Sequence, residues 1–284
     1  IKTLLQNIKM IKKTLILIAF CISSIAYSQN SDEILAEGKL LFRLEKASWN
    51  GTDDFLARFP EKRNLIGGYL SYESDKHEIM TIFFGRENND SLLVRYQFDS
   101  IPNAPIEIDT VDLKITSLEK NLIEIRQDAI QRISNNSENF FTFYENTALN
   151  LIPLITDKKK RVFILTGTQV SNVVIIGNDY LLEYDKKNRL KNKTQIHKSL
   201  LQFPYKSDNP ENKMESTYHS HVVSDYINST DICTLLLYKD YVEWTKHFVM
   251  SNKYVSIFDM EKENLAIMKR KAWEKIYNQQ IEKK

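Results

Sequence analysis

The apolar positions change period several times along this chain, and the changes divide it into elements. Residues 32–59 mix helical and loop character, with Leu35, Leu40, Leu41, Leu44 and Phe55 as candidate core positions. Short runs rich in aromatic and β-branched residues at Tyr69–Tyr72, Ile79–Phe84 and Leu92–Phe98 predict strands, with Asn88-Asn89-Asp90 as the turn between the last two. Apolar residues at 118, 122, 125, 129, 130 and 133 fit a 3.6-residue repeat and predict an amphipathic helix over Ser117–Ile133. Phe140–Tyr144, Leu149–Ile155, Val162–Thr166 and Val173–Asp185 then read as strands. Asp185-Lys186-Lys187-Asn188 reads as a hairpin turn into Arg189–Leu201. Further on come a strand at Glu215–His221 and a helix at Asp231–Trp244 capped by Ser229 or Thr230. Strands at Phe248–Met250 and Tyr254–Phe258 and a closing helix at Glu261–Gln280 complete the pattern. The order predicts an α+β protein. A β-rich α+β region of unassigned role spans 29–135, and a mixed sheet with flanking helices spans 136–284.

The first 28 residues follow a different logic. Met10 precedes Lys12 and Lys13, Thr14–Ile25 is apolar, and Ala26-Tyr27-Ser28 places small residues at −3 and −1 of a cleavage site. That order is the pattern of a secretory signal peptide, and the apolar run is short of the ~20 residues a membrane span needs. Translation is expected to start at Met10, with 1–9 as a non-translated extension, and the exported chain is expected to begin at Gln29. Export changes the charge. The segment carries Lys2, Lys9, Lys12 and Lys13 and no acid, so the net charge goes from +2 to about −2. Without a basic excess, nucleic acid is not an expected partner, and no later stretch is apolar enough to span a membrane. Cys21 leaves with the signal, and Cys233 alone cannot form an internal disulfide, so the core or a metal has to stabilise the fold.

One segment carries candidate chemistry: Tyr218-His219-Ser220-His221, ending ten residues before Asp231. Histidines at i and i+2 of a strand face the same side and can reach one ion. Asp231, at the start of the next helix, can add an oxygen ligand. Two histidines and a carboxylate with an open position form a catalytic zinc pattern. His197 and His247 flank apolar runs and read as surface or supporting residues. Cys233 reads as a small buried apolar residue, and Trp49, Trp244 and Trp273 as core or interface.

Residues 218–231 (YHSHVVSDYINSTD) resemble the H-x-H … S-x-x-D signature of the JAB/MPN, or JAMM, superfamily. Tyr180–Leu190 is similar to the strand–turn–strand that precedes this motif in its RadC-like branch, and Lys246–Asp259 to the strand pair that follows. The resemblance covers roughly 160–260 and implies His219, His221 and Asp231 as Zn²⁺ ligands. The chain departs from the family pattern at three places. Val222 stands where the family has Pro, and Asn228 stands at the family serine with Ser229 one step late, so either would be the oxyanion donor. Gly177 aligns with the catalytic Glu, leaving Asp179, Glu183 and Glu215 as nearby carboxylates. Glu215 lies about 13 Å along its strand from His219 at ~3.3 Å per residue, so Asp179 or, with its longer reach, Glu183 is expected to supply the base.

Two functions follow as expectations. One is an exported zinc-dependent hydrolase of a peptide, isopeptide or related amide bond. The other is the same fold with a degraded site, acting as an exported binding module for a peptide or protein partner. A carboxylate in reach of the metal's open position separates the two, because a general base is typically worth ~10²–10⁴ in rate.

Overall fold

The computed structural model describes residues 31–86, 91–156, 159–207, 209, 211 and 213–281. The expected signal segment and the expected turn at Asn88–Asp90 lie outside these residues. The architecture is α+β. Helix α1 spans 31–58 as one unbroken element, where the sequence suggested a mixture of helix and loop. Its interior glycines are tolerated because neighbours press on them. A Cβ at Gly38 would run into Ile232, and one at Gly51 would crowd Thr81. A 3₁₀ turn at Pro60–Leu65 leads into an antiparallel meander of β1 (Ile66–Glu73), β2 (Ile79–Gly85), β3 (Leu92–Phe98) and β4 (Pro105–Asp109).

Helix α2 (Ser117–Asn135) follows, started by a capping box between Thr116 and Glu119 and ended by Asn136 in the left-handed conformation. A second sheet then takes the order β5-β6-β8-β9, from β5 (Thr147–Thr156), β6 (Lys159–Thr168), β8 (Tyr180–Tyr184) and β9 (Leu190–Gln195). The expected strand at Phe140–Tyr144 is irregular backbone. Its aromatics serve packing instead, with Phe140 and Phe141 against the buried Tyr180 ring at 5.4 and 5.0 Å.

The expected long strand at Val173–Asp185 is broken in two. β7 (Val173–Gly177) pairs with β10 (Leu200–Pro204) as a separate two-stranded sheet, while β8 pairs with β9. The break sits at one level of an antiparallel hairpin. Tyr180 lies opposite Gln195 and Gly177 opposite Leu200, so two residues on one arm face four on the other. Extra residues on one arm bend a ladder and re-aim side chains. Here the two short arms are the 178–179 and 196–199 segments.

The C-terminal sheet has the order β11-β12-β13-β14. β11 (Ser216–Ser220) runs parallel to β12 (Lys246–Met250), with α3 (Ser229–Tyr238) as the crossover; the remaining pairs, with β13 (Tyr254–Asp259) and β14 (Asn264–Lys269), are antiparallel. The sheet is therefore mixed. Its last strand replaces the first half of the expected closing helix, which is confined to α4 (Arg270–Ile281). The cap of α3 is Asn228 rather than Ser229 or Thr230.

One core cluster joins Leu41, Leu44 and Phe55 of α1 to Phe83 and Tyr96 of the first sheet, Ile152 and Phe163 of the second, and Cys233 of α3. It has members on both sides of the expected 135/136 boundary. Each fully buried Leu or Phe in it contributes about 1.5–3 kcal/mol, in a fold whose described cysteine is free. Among the described residues no helix is long and apolar enough to cross a membrane.

Candidate metal centre

Three parts of the fold deliver four side chains to one point. His219 lies in β11 and His221 directly follows its last residue, still bonded to the Met250 carbonyl, so the two imidazoles share a face by strand alternation. The crossover then turns back so that the first turn of α3 presents Asp231. The long arm of the bent hairpin adds His197. Ligating atoms of His197, His219, His221 and Asp231 all lie within 4.8 Å of one another, and all four residues are buried. His197 Nε2 is 3.1 Å from His221 Nε2 and 3.2 Å from Asp231 Oδ1. His221 Nε2 is 3.4 Å from Asp231 Oδ2, and His219 Nε2 is 3.9 Å from Oδ1. Donors at ~2.0–2.1 Å from a tetrahedral zinc stand about 3.3 Å apart, so the pairs at 3.1, 3.2 and 3.4 Å already match, and the wider ones, within 4.8 Å, would close inward on one ion.

The other side of each imidazole is tied down. His197 Nδ1 meets Asp179 Oδ2 at 3.2 Å. His221 Nδ1 donates to the Tyr226 carbonyl at 2.7 Å, with the Ser224 hydroxyl at 2.8 Å. His219 Nδ1 meets His247 Nε2 at 2.7 Å, and His247 Nδ1 meets the Thr217 hydroxyl at 2.7 Å. Every Nδ1 is thus engaged outward and every Nε2 points at the shared centre, the arrangement that metal-ligating histidines have. At that centre His219 Nε2 and Asp231 Oδ1 are buried and make no hydrogen bond. Orphaned buried polar atoms are rare and costly. Two of them facing each other mark a place where a cation would complete the arrangement.

The electrostatics agree. Burial pulls the His219 imidazole down to about 4 and also lowers that of His221, so both stay neutral and available as ligands. Burial opposes charge on Asp231 too, but the three surrounding histidines outweigh it and hold the carboxyl well below its ordinary value. His197 is the exception. Burial works against its charge, yet Asp231 and the hydrogen bond to Asp179 raise it to about 10. His197 thus lies between two carboxylates, Asp179 at 3.2 Å and Asp231 at 3.2 Å.

The group opens to solvent on one side. A depression of about 40 Å³ is lined by His197, His219 and His221 together with Gly177, Val222 and Val223, room for one or two waters. Gly177 is the position the family resemblance aligns with the catalytic Glu. Its φ is +105°, and a Cβ there would run into the Ser199 carbonyl oxygen, so the backbone excludes any side chain. Asp179 stands two residues on, fixed by the Thr166 N–H at 3.0 Å, and meets the centre only through His197. Glu183 lies outside the group and accepts a hydrogen bond from Asn192 at 2.9 Å on the exposed side of the second sheet. Asn228 reaches the centre with its amide 3.3 Å from His197 Nε2, whereas the Ser229 hydroxyl turns away and donates to Glu37 at 2.9 Å. Cys233 is buried in the apolar core, with its thiol pushed well up by burial. Trp244 is fully buried as well.

Of the expected ligands, His219, His221 and Asp231 come together. His197, expected at the surface or in support, joins them. No local spacing announces it, because it stands 24 residues before His221 in an irregular segment. Its only sequence signal is that it is one of just five histidines. Comparison of the chain with protein families, with curated proteins and with solved structures gives no match.

Proposed function

We propose that this chain is an exported zinc protein of JAB-like design that hydrolyses a peptide, isopeptide or related amide bond. The observation that carries the reading is the convergence of three outward-anchored imidazoles and a carboxylate on two orphaned polar atoms. An all-nitrogen-and-oxygen set rich in imidazole favours zinc among the common divalent ions. The order of the motif supports the JAB-like assignment: H-x-H on a strand, then a parallel crossover helix whose first turn holds the Asp.

In this reading His219, His221 and Asp231 hold the ion. When bound, zinc would polarise an amide carbonyl and bring a water's pKa to about 7. Among the described residues no further carboxylate reaches the open position, so in this reading the base is His197, backed by Asp179. Beside a cation it would lose the proton at Nε2, leaving that nitrogen able to accept one, in place of the Glu that Gly177 cannot supply. The Asn228 amide is positioned to donate a hydrogen bond at the rim of the centre. The depression admits water, and a substrate amide would have to approach from its open side past Val222 and Val223.

A second reading rests on His197 itself. Its Nε2 stands at ligand distance from two other donors, so it can be a fourth ligand that closes the ion to chemistry, leaving a binding module. One variant separates the two. If His197 handles the proton, His197→Ala keeps about one zinc per chain by elemental analysis and lowers cleavage of a peptide library by 10²-fold or more. If His197 closes the site, the variant loses most of its zinc affinity, and the wild-type protein cleaves nothing. Wild-type protein that takes up no zinc overturns both.

A further inference from the structure

We propose a second ligand site, independent of the metal centre: a groove along α1 that binds an amphiphilic organic anion, an apolar body carrying one acidic head, with a fatty carboxylate as the type. The groove has a volume of about 640 Å³ and lies between α1, the segment joining β3 to β4, and the C-terminal end of α3. Ligand sites for small molecules commonly measure ~300–1,000 Å³. Asp231 is in the first turn of α3 and Leu236 and Lys239 are at its other end, so the groove and the metal centre flank opposite ends of one helix.

The lining has two parts. Phe42 and Leu236 form an apolar floor, and Ile101, 64% exposed, forms an apolar wall. An exposed Ile opposite a Phe in a groove of this size is surface that an apolar ligand would cover. The wall opposite is basic. Lys39, Arg43 and Lys46 lie on one face of α1 at one-turn spacing, and Lys239 faces them from the end of α3. Against these four cations the lining sets only Asp240 and Glu263. Glu263 is already engaged by Lys39 at 3.2 Å and Lys239 at 2.6 Å, and Arg43 is held by Glu73 at 2.7 Å. Lys46 has no ion-pair partner among the described residues. A chain with almost balanced charge has therefore gathered more cations than anions around this groove, and among the described residues the Lys46 ammonium is left to meet an anionic head. Acidic peptides share the charge but not the need for an apolar floor, which favours the amphiphile.

The groove is held in shape. Asn50 of α1 donates to the Pro102 carbonyl at 2.5 Å, fixing the β3–β4 segment that carries Ile101.

The test uses the full exported chain and the fluorescent probe 1-anilinonaphthalene-8-sulfonate. One saturable site is expected, with dodecanoate displacing the probe and neither dodecanol nor acetate doing so, because head and body are both required. Lys46→Glu should weaken binding about tenfold, and Ile101→Asp by a similar factor, while both variants keep the wild-type zinc content. That control separates failure of this site from failure of the metal reading. Absence of saturable binding, equal affinity in wild type and Lys46→Glu, displacement by dodecanol as effective as by dodecanoate, or displacement by a hexaglutamate peptide in place of dodecanoate each overturns the proposal.

Discussion

Two helices of this protein begin in the same way and use the beginning for different ends. Glu119 and Asp231 are each the third residue of a helix, each completely buried, and each accepts a hydrogen bond from the backbone N–H of its capping residue: Thr116 at 2.7 Å and Asn228 at 2.8 Å. From there they diverge. Glu119 is saturated by the Tyr72 hydroxyl at 2.8 Å and by Arg95 through Nε at 2.9 Å and Nη2 at 2.8 Å. It ties α2 to the first sheet and has nothing left to offer. Asp231 leaves Oδ1 without a hydrogen bond and faces it toward three imidazoles. Burial of a carboxylate is therefore no sign of function by itself. What distinguishes the site is the valence left unfilled at the centre, in a protein that satisfies an equivalent carboxylate completely elsewhere.

The contrast predicts opposite outcomes for the two neutralising variants. Asp231→Asn preserves the cap and removes the charge, so zinc should fall from about one per chain to less than a tenth, measured by elemental analysis after dialysis against a weak chelator. Glu119→Gln should leave the zinc content untouched. Its effect is on stability, because Arg95 is left without its carboxylate: a loss of about 3–5 kcal/mol in denaturant unfolding. If Glu119→Gln removes zinc as thoroughly as Asp231→Asn, the distinction between the two helix starts is lost.

A third buried carboxylate sharpens the comparison. Glu45 of α1 is 6% exposed and has one neutral donor, Trp49 Nε1 at 2.9 Å. Burial raises its carboxyl to about 7. Since the folded value lies above the ordinary 4.5, the stability it contributes is fully present below pH 4.5 and is lost as pH rises through 7. Glu45→Gln abolishes that loss. At pH 8 the variant should be more stable than wild type by about 3 kcal/mol, because each tenfold difference in proton affinity between folded and unfolded chain is worth ~1.4 kcal/mol. At pH 4 the two should coincide. Urea unfolding at both pH values measures the difference. A constant difference across the range would mean that Glu45 is charged in the fold.

How much of this could be read in advance depended on sequence distance. The H-x-H strand, the helix that follows and the Asp in its first turn lie within 14 residues, and local periodicity fixes where each side chain points. The amphipathic repeat of α2 was equally legible. His197 was not, and Asp179 was expected beside the metal and not behind His197, because their positions depend on a hairpin that changes sheets. Gly177 at φ +105° and Asn178 at φ 57° turn one arm, and the longer 196–199 arm carries His197 inward. A sequence read as one continuous strand over 173–185 hides that corner. The β14 strand was missed for a related reason. Asn264–Lys269 mixes apolar and charged residues in a way that suits a helix surface, and only pairing with β13 decides its form. The aromatic run at 140–144 has strand composition, but left-handed Asn136 and Asn139 just before it bend the chain across Tyr180.

The smallest effect expected is at the outer end of the relay that orients His219. Burial lowers His247 to about 3, so its ring is neutral and carries a single N–H. The form of the relay that suits a metal ligand has the Thr217 hydroxyl accepting from His247 Nδ1 at 2.7 Å, which leaves Nε2 to accept from His219 Nδ1 at 2.7 Å. In that form His219 has its own proton on Nδ1 and a bare lone pair on Nε2, aimed at the shared centre. Thr217→Val takes away the outer acceptor. His247 can then move its proton to Nε2, which forces His219 to place an N–H toward the centre, the wrong form for a ligand. Loss of a group that directly supports a ligand costs ~10–100-fold in metal affinity. Thr217 is one step further out, so a loss of about three- to tenfold is expected in competition with a fluorescent zinc chelator. Thr217→Ser, which restores a hydroxyl acceptor, should return the affinity to wild type. Equal affinities in Thr217→Val and wild type would show that His219 holds its tautomer without the relay, and would confine the metal centre to its four inner residues and their immediate partners.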